Sequence, residues 1–129
     1  PVVRERMEGF RDEVLRAVAK RLTGLVRDAD TVARFGGDEF IILMEDVTEI
    51  ADVEHLAGKV LAGLAQPLPL GDQTLTVTTS IGISLFPRDG VEAETLIKRA
   101  DDAMFRAKQE GRNLFVFHDE TPLARVAGP

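Results

Sequence analysis

The chain has 129 residues, 44% of them hydrophobic, a formal net charge of −6 and no cysteine. A chain of that size can bury a core without metal or disulfide staples, and without cysteine it can hold no disulfide framework, zinc–thiolate site or cysteine nucleophile. The acidic balance argues against a broad nucleic-acid surface but allows a local basic patch. No apolar run approaches the roughly 18 residues of a membrane span and no charged-then-apolar leader opens the chain, so a soluble, cytoplasmic protein without membrane contact is expected.

From Asp12 to Val26, apolar Val14, Leu15, Val18, Ala19, Leu22, Leu25 and Val26 recur at steps of three and four, which predicts an amphipathic helix. Val32–Phe35 and Phe40–Met44 read as two strands of a hairpin. A second helix is predicted over Asp52–Ala65, with Val53, Leu56, Ala57, Val60, Leu61 and Leu64 on one face and Pro67 and Pro69 preventing its continuation. Strict alternation from Leu75 to Leu85 predicts one long strand, and Pro87–Gly90 a turn. The third helix, Ala93–Glu110, turns Leu96, Ile97, Ala100, Ala103, Met104 and Ala107 inward and stops near Gly111, a C-terminal cap. Leu114–Phe117 is a last short strand. The segment from Asp119 lacks periodicity, so the chain divides into a domain, 1–118, and a linker or tail, 119–129, with no internal repeat. Helices interleaved with strands imply a single-domain α/β sandwich on one central mixed or antiparallel sheet flanked by helices.

Chemistry concentrates in Arg34-Phe35-Gly36-Gly37-Asp38-Glu39-Phe40. Glycine permits positive φ and close approach of a bulky anion, and two carboxylates suit a hard cation that carries phosphates. A solvated hairpin turn accounts for the same residues. Two further segments accompany it: Ser80-Ile81-Gly82-Ile83-Ser84-Leu85-Phe86-Pro87-Arg88-Asp89-Gly90, and the stretch from Arg99 to Asn113 that contains Asp101-Asp102 and ends in Glu110-Gly111-Arg112-Asn113. With these three in order, the chain resembles the GGDEF domain, the family of bacterial diguanylate cyclases, from about Asp12 to about His118.

The resemblance implies a fold like that of nucleotide cyclases and polymerase palms. It also implies a reaction in which two GTP molecules become cyclic di-GMP and pyrophosphate, with Mg²⁺ or Mn²⁺ as cofactor. Each domain holds one GTP, so a homodimer is implied, and sensory or phosphodiesterase domains are expected elsewhere in a full-length protein. Residue by residue, Asp38 matches the metal-binding acid and a candidate for polarising the attacking hydroxyl, and Glu39 the other acid of the catalytic pair. Gly36 and Gly37 match the backbone beside the phosphates. Lys108 and Arg112, four apart, match a phosphate-binding pair expected to project together, and Arg34 adds a cationic contact; a solvated basic face is the plain alternative for them.

Asp12 falls where the family has a guanine-binding aspartate at the start of the first helix, and helix capping explains it equally well. The family's Gly-His-x-x-Gly-Asp is replaced here by Met7-Glu8-Gly9-Phe10-Arg11-Asp12, and its guanine-binding asparagine by Val3. The family's first strand, with another metal-binding aspartate, has no counterpart after Pro1, and a partial record of a longer protein is the favoured expectation. Arg27-Asp28-Ala29-Asp30 has the Arg-x-x-Asp form that marks the family's inhibitory cyclic di-GMP site. His55 and His118 stand apart from every motif. A catalytically degenerate domain that binds GTP or cyclic di-GMP to regulate a neighbour is the alternative function.

Overall fold

The computed structural model describes residues 2–122, with side chains from Gly9 onward. Its elements are α1 (Val2–Leu25), β1 (Thr31–Arg34), β2 (Phe40–Leu43), α2 (Ile50–Leu64), β3 (Leu68–Leu70), β4 (Gln73–Leu75), β5 (Ile81–Ile83), α3 (Ala93–Gln109) and β6 (Phe115–Phe117). The α/β class is as predicted. Instead of one central sheet, the described strands pair two by two: β1 with β2 and β3 with β4 antiparallel, β5 with β6 parallel. No helix among the described residues is long and apolar enough to cross a membrane.

The chain forms two compact units, one of residues up to Glu45 with Gly63–Val77, the other of Asp46–Ala62 with Thr78 onward. In the first, α1 buries Leu15 and Leu22, two turns apart on one face. It starts well before Asp12, in a stretch where Val3, Met7 and Phe10 already lead to Val14 at steps of three and four. Leu25 closes over Gly63, where an added Cβ would come within 2.6 Å of the leucine side chain. Beside that contact the Arg21 guanidinium donates to the carbonyls of Gly63, Gln66 and Pro67 at 3.3, 2.6 and 2.9 Å, satisfying acceptors at and past the end of α2. Pro67 and Pro69 do stop α2, but Pro69 also enters β3, paired with Thr74 across a two-residue turn at Gly71-Asp72. Gly71 has φ 59°, suiting the first turn position of such a hairpin.

In the second unit, α2 buries Ile50, Val53, Leu56, Ala57 and Val60 along one stripe. Helix α3 lies on β5 and β6 through Ala103 and Ala107, both fully buried with Val116. Close approach is possible because β5 carries Gly82, where a Cβ would collide with the carbonyl of Ala100 and the backbone of Met104. The Ser84 hydroxyl donates to the Leu96 carbonyl at 2.7 Å. Of the predicted long strand only Leu75, the end of β4, and Ile81–Ile83, which is β5, are paired: residues 76–80, between them, have no ladder partner, and alternation without a partner does not make a strand. The Pro87–Gly90 turn is held by the buried Asp89 carboxylate, which accepts from the Leu85 N–H at 2.7 Å. At the predicted linker, Arg88 donates to the carbonyls of Asp119 and Thr121 at 2.7 and 3.2 Å, so the chain is held at least that far. Residues 123–129 of the expected tail lie outside the described residues.

Gly82→Ala is expected to destabilise the protein by about 3 kcal/mol, since the atoms met are backbone and cannot rotate away. Gly58→Ala, in α2 with nothing within 4 Å of the new methyl, is expected to add about 0.5–1 kcal/mol. Urea denaturation of both variants measures the contrast.

Candidate functional site

Pairing of β1 with β2 ends at Arg34↔Phe40, leaving Phe35–Glu39 as the connection. The Phe35 N–H donates to the Glu39 carbonyl at 2.8 Å and the Glu39 N–H to the Gly36 carbonyl at 3.3 Å, a tight turn nested inside the hairpin end. Gly36 holds φ 59°, a left-handed conformation that a side chain disfavours by about 1–2 kcal/mol. A Cβ on Gly36 would meet nothing within 4 Å, and one on Gly37 only Arg11 Nη2, at 3.7 Å. Within the chain, glycine is thus required at 36 by conformation, while at 37 its absent side chain leaves an open face. Asp38 projects exposed from the tip and Glu39 is half-buried. Arg34 makes long bonds from Nε and Nη2 to the Gly37 carbonyl, at 3.4 and 3.3 Å, which brings its cation to the turn.

A residue that sequence reasoning does not single out completes the tip. Arg11, on α1, donates from Nε to Asp38 Oδ1 at 2.8 Å and places Nη2 2.6 Å from the same oxygen. The available signal was its position, where the family pattern has glycine. Asp12, beside it, is exposed and lies inside α1. The capping role considered for Asp12 is therefore corrected, because a helix that begins at Val2 has no N-terminus at Asp12. Val3, at the position of the family's asparagine, has its side chain outside the described residues.

Arg27 and Asp30 are bound to each other. Asp30 accepts from the Arg27 backbone N–H at 2.9 Å and from Arg27 Nη2 at 2.7 Å, and Arg27 Nη2 also donates to the Glu45 carbonyl at 3.0 Å. The Asp30 side chain is fully enclosed. The Arg27 hydrogen bond holds its carboxyl below the usual carboxylate range, against the opposing effect of burial.

In the second unit, Lys108 is exposed in the last turn of α3, but Arg112 lies beyond the helix end. The Arg112 N–H donates to the Ala107 carbonyl at 3.0 Å and Gly111 and Arg112 take φ 123° and 63°, a Schellman-type stop. The two side chains therefore do not stack at helical i, i+4 spacing, as their sequence separation suggests. His118 Nε2 lies 3.4 Å from Arg99 Nη1; His55 is exposed on α2.

As they stand, these acids do not fit a resident divalent cation. Among the described residues no three His, Asp or Glu side chains gather to hold one, and Oδ1 of Asp38 already carries a guanidinium. What the tip offers is an open glycine face with two arginines beside it, an arrangement suited to an anion.

The sequence profile described as "Diguanylate cyclase, GGDEF domain" matches residues 8–114. The cyclic di-GMP phosphodiesterase NbdA of Pseudomonas aeruginosa is 38% identical over 89% of this chain and 15% of its own length. The response regulator PleD of Caulobacter vibrioides is 41% identical over 81% of this chain and 24% of its own. The chain thus spans less than a quarter of the length of these curated relatives. Among solved structures, the GGDEF domain of TpbB from Pseudomonas aeruginosa superposes with TM-score 0.81 at 33% identity, covering 91% of this chain and 74% of that one. An EAL/GGDEF domain protein from M. capsulatus gives TM-score 0.77 at 44% identity, over 84% and 70%.

Because folding depresses the Asp30 pKa, the Arg27–Asp30 interaction stabilises the fold above the ordinary carboxylate range, about pH 4, and is lost as pH falls through the lower folded value. Asp30→Asn is expected to cost about 1 kcal/mol at pH 7. The loss should narrow below about pH 4, as read by urea melts at both pH values.

Proposed function

The chain belongs to the GGDEF family, and from that premise we propose that it is the diguanylate cyclase domain of a larger signalling protein, joining two GTP molecules into cyclic di-GMP. The observation that carries this reading is the Gly36–Glu39 turn, with glycine at positive φ, an open face at Gly37 and Asp38 exposed beside it. In this reading the nucleotide phosphates lie along the Gly36-Gly37 backbone with Arg34 alongside, where an amide-lined turn and a guanidinium receive negative charge. Lys108 and Arg112 keep the phosphate-binding role that the resemblance gives them, and Asp12 the guanine contact.

Asp38, helped by Glu39, polarises the 3′-hydroxyl. Each 3′-oxygen forms a bond to the α-phosphorus of the other GTP as its bond to pyrophosphate breaks, so two phosphodiesters form and two pyrophosphates leave. Two domains must face each other for this, since one domain supplies one GTP. The family's Mg²⁺ or Mn²⁺ is an expectation that the acids present do not by themselves satisfy. Product inhibition through Arg27 and Asp30 belongs to the same proposal, and cyclic di-GMP would have to displace their mutual bond. The cytoplasm is the expected compartment.

A second reading is favoured by the Arg11–Asp38 pair: a domain that binds GTP or cyclic di-GMP without turnover and regulates a neighbour. Relatives carrying phosphodiesterase names, NbdA and the bifunctional MucR of Pseudomonas aeruginosa, are consistent with such a neighbour.

Incubation of the full-length protein with GTP and Mg²⁺, followed by nucleotide chromatography, is expected to yield cyclic di-GMP. Asp38→Ala should abolish the product while circular dichroism stays unchanged; full activity in that variant would sink the cyclase reading. No product from the wild type, with GTP or cyclic di-GMP still bound in calorimetry, would establish the second.

A further inference from the structure

We propose that Arg11 is a built-in competitor for the cation position on Asp38, so that this hairpin takes a divalent metal more weakly than its motif implies. The inference uses the proposed function only to say where a cation would sit; it does not depend on turnover. Two observations carry it. Both Arg11 contacts converge on Oδ1 of Asp38, at 2.8 Å from Nε and 2.6 Å from Nη2. The same Nη2 lies 3.7 Å from where a Gly37 Cβ would be, so the guanidinium stands at the edge of the otherwise open glycine face, beside the acid.

A divalent ion approaching Asp38 must displace these bonds or bind at Oδ2, which accepts no hydrogen bond among the described residues, with a positive charge one carboxylate away. Both routes weaken it. The pair is solvent-exposed, with more than half of each side chain accessible, so the competition is moderate and reversible rather than a block. Phosphate is the natural alternative partner for a planar guanidinium. A bound triphosphate could therefore draw Arg11 off Asp38 and open the acid when the substrate arrives.

The test is titration of the purified chain with Mn²⁺ alone, reading free Mn²⁺ by electron paramagnetic resonance. Arg11→Ala is expected to bind Mn²⁺ about ten-fold more tightly than the wild type at low ionic strength. Arg11→Gln, which keeps the aliphatic stem, should repeat the gain, and the Arg11→Ala/Asp38→Ala double variant should lose it. An affinity in Arg11→Ala within two-fold of the wild type, no detectable binding by that variant, or a gain that persists without Asp38 would each overturn the proposal. Circular dichroism checks the fold, and GTP calorimetry on wild type and Arg11→Ala is run separately. Failure of GTP binding in both would count against the proposed function and leave the Mn²⁺ result standing.

Discussion

Backbone carbonyls at the ends of very short strands and in the connections between elements must find donors, and in this protein arginine supplies many of them. Arg21 serves Gly63, Gln66 and Pro67; Arg27 serves Glu45; Arg88 serves Asp119 and Thr121; Arg106 serves Phe117 and His118. Strands of three or four residues make too few ladder bonds to hold their own ends, and there is no disulfide to help. A guanidinium with five donors in a fixed fork can bind two or three carbonyls at once. The cost of leaving those acceptors unmet would otherwise fall on the loops.

The hairpin that carries the motif shows the same arrangement with a functional consequence. Its turn is set by local bonds and by glycine at positive φ, so the backbone is fixed before any ligand arrives. Two arginines then settle around it, Arg34 on the Gly37 carbonyl and Arg11 on Asp38. They offset the carboxylates of Asp38 and Glu39, so the tip of an acidic protein carries no excess negative charge. That balance favours an anionic ligand and disfavours a free metal ion, and one structure thereby supports both the nucleotide reading and the restraint on its metal chemistry.

Local signals and long-range ones fared differently. The apolar periods of α2 and α3 and the glycine turn of the first hairpin were readable because each depends on residues within one or two turns of the chain. The β3–β4 hairpin was not, because Pro67 and Pro69 read as helix stops and a three-residue strand has too short a pattern to register. The alternation from Leu75 to Leu85 overstated β5, since side-chain alternation shows which faces differ but not whether a neighbouring strand exists to pair with. The start of α1 lies upstream of the predicted one: Val3, Met7 and Phe10 carry the apolar period back from Val14, but Asp12 has the chemistry of a helix cap and marked a start there. At the end of α3, four-residue spacing suggested that Lys108 and Arg112 stack, but Gly111 ends the helix between them and the spacing no longer fixes direction.

The sequence by itself determined the family, the place of the glycine turn and the two acids at its tip. These rest on residue identity and short-range conformation, and both are written locally. Which cation stands on Asp38 was decided only by the tertiary structure. Arg11 is 27 positions away from Asp38, on a different element, and read alone it is one more charge on a solvated helix face. For Arg27 and Asp30 the spacing was visible and their bond is local, but the full enclosure of the carboxylate and the tie from Arg27 to the Glu45 carbonyl, past the end of β2, come only with folding. A charge in sequence has a sign but no partner, and only folding brings the partner within reach.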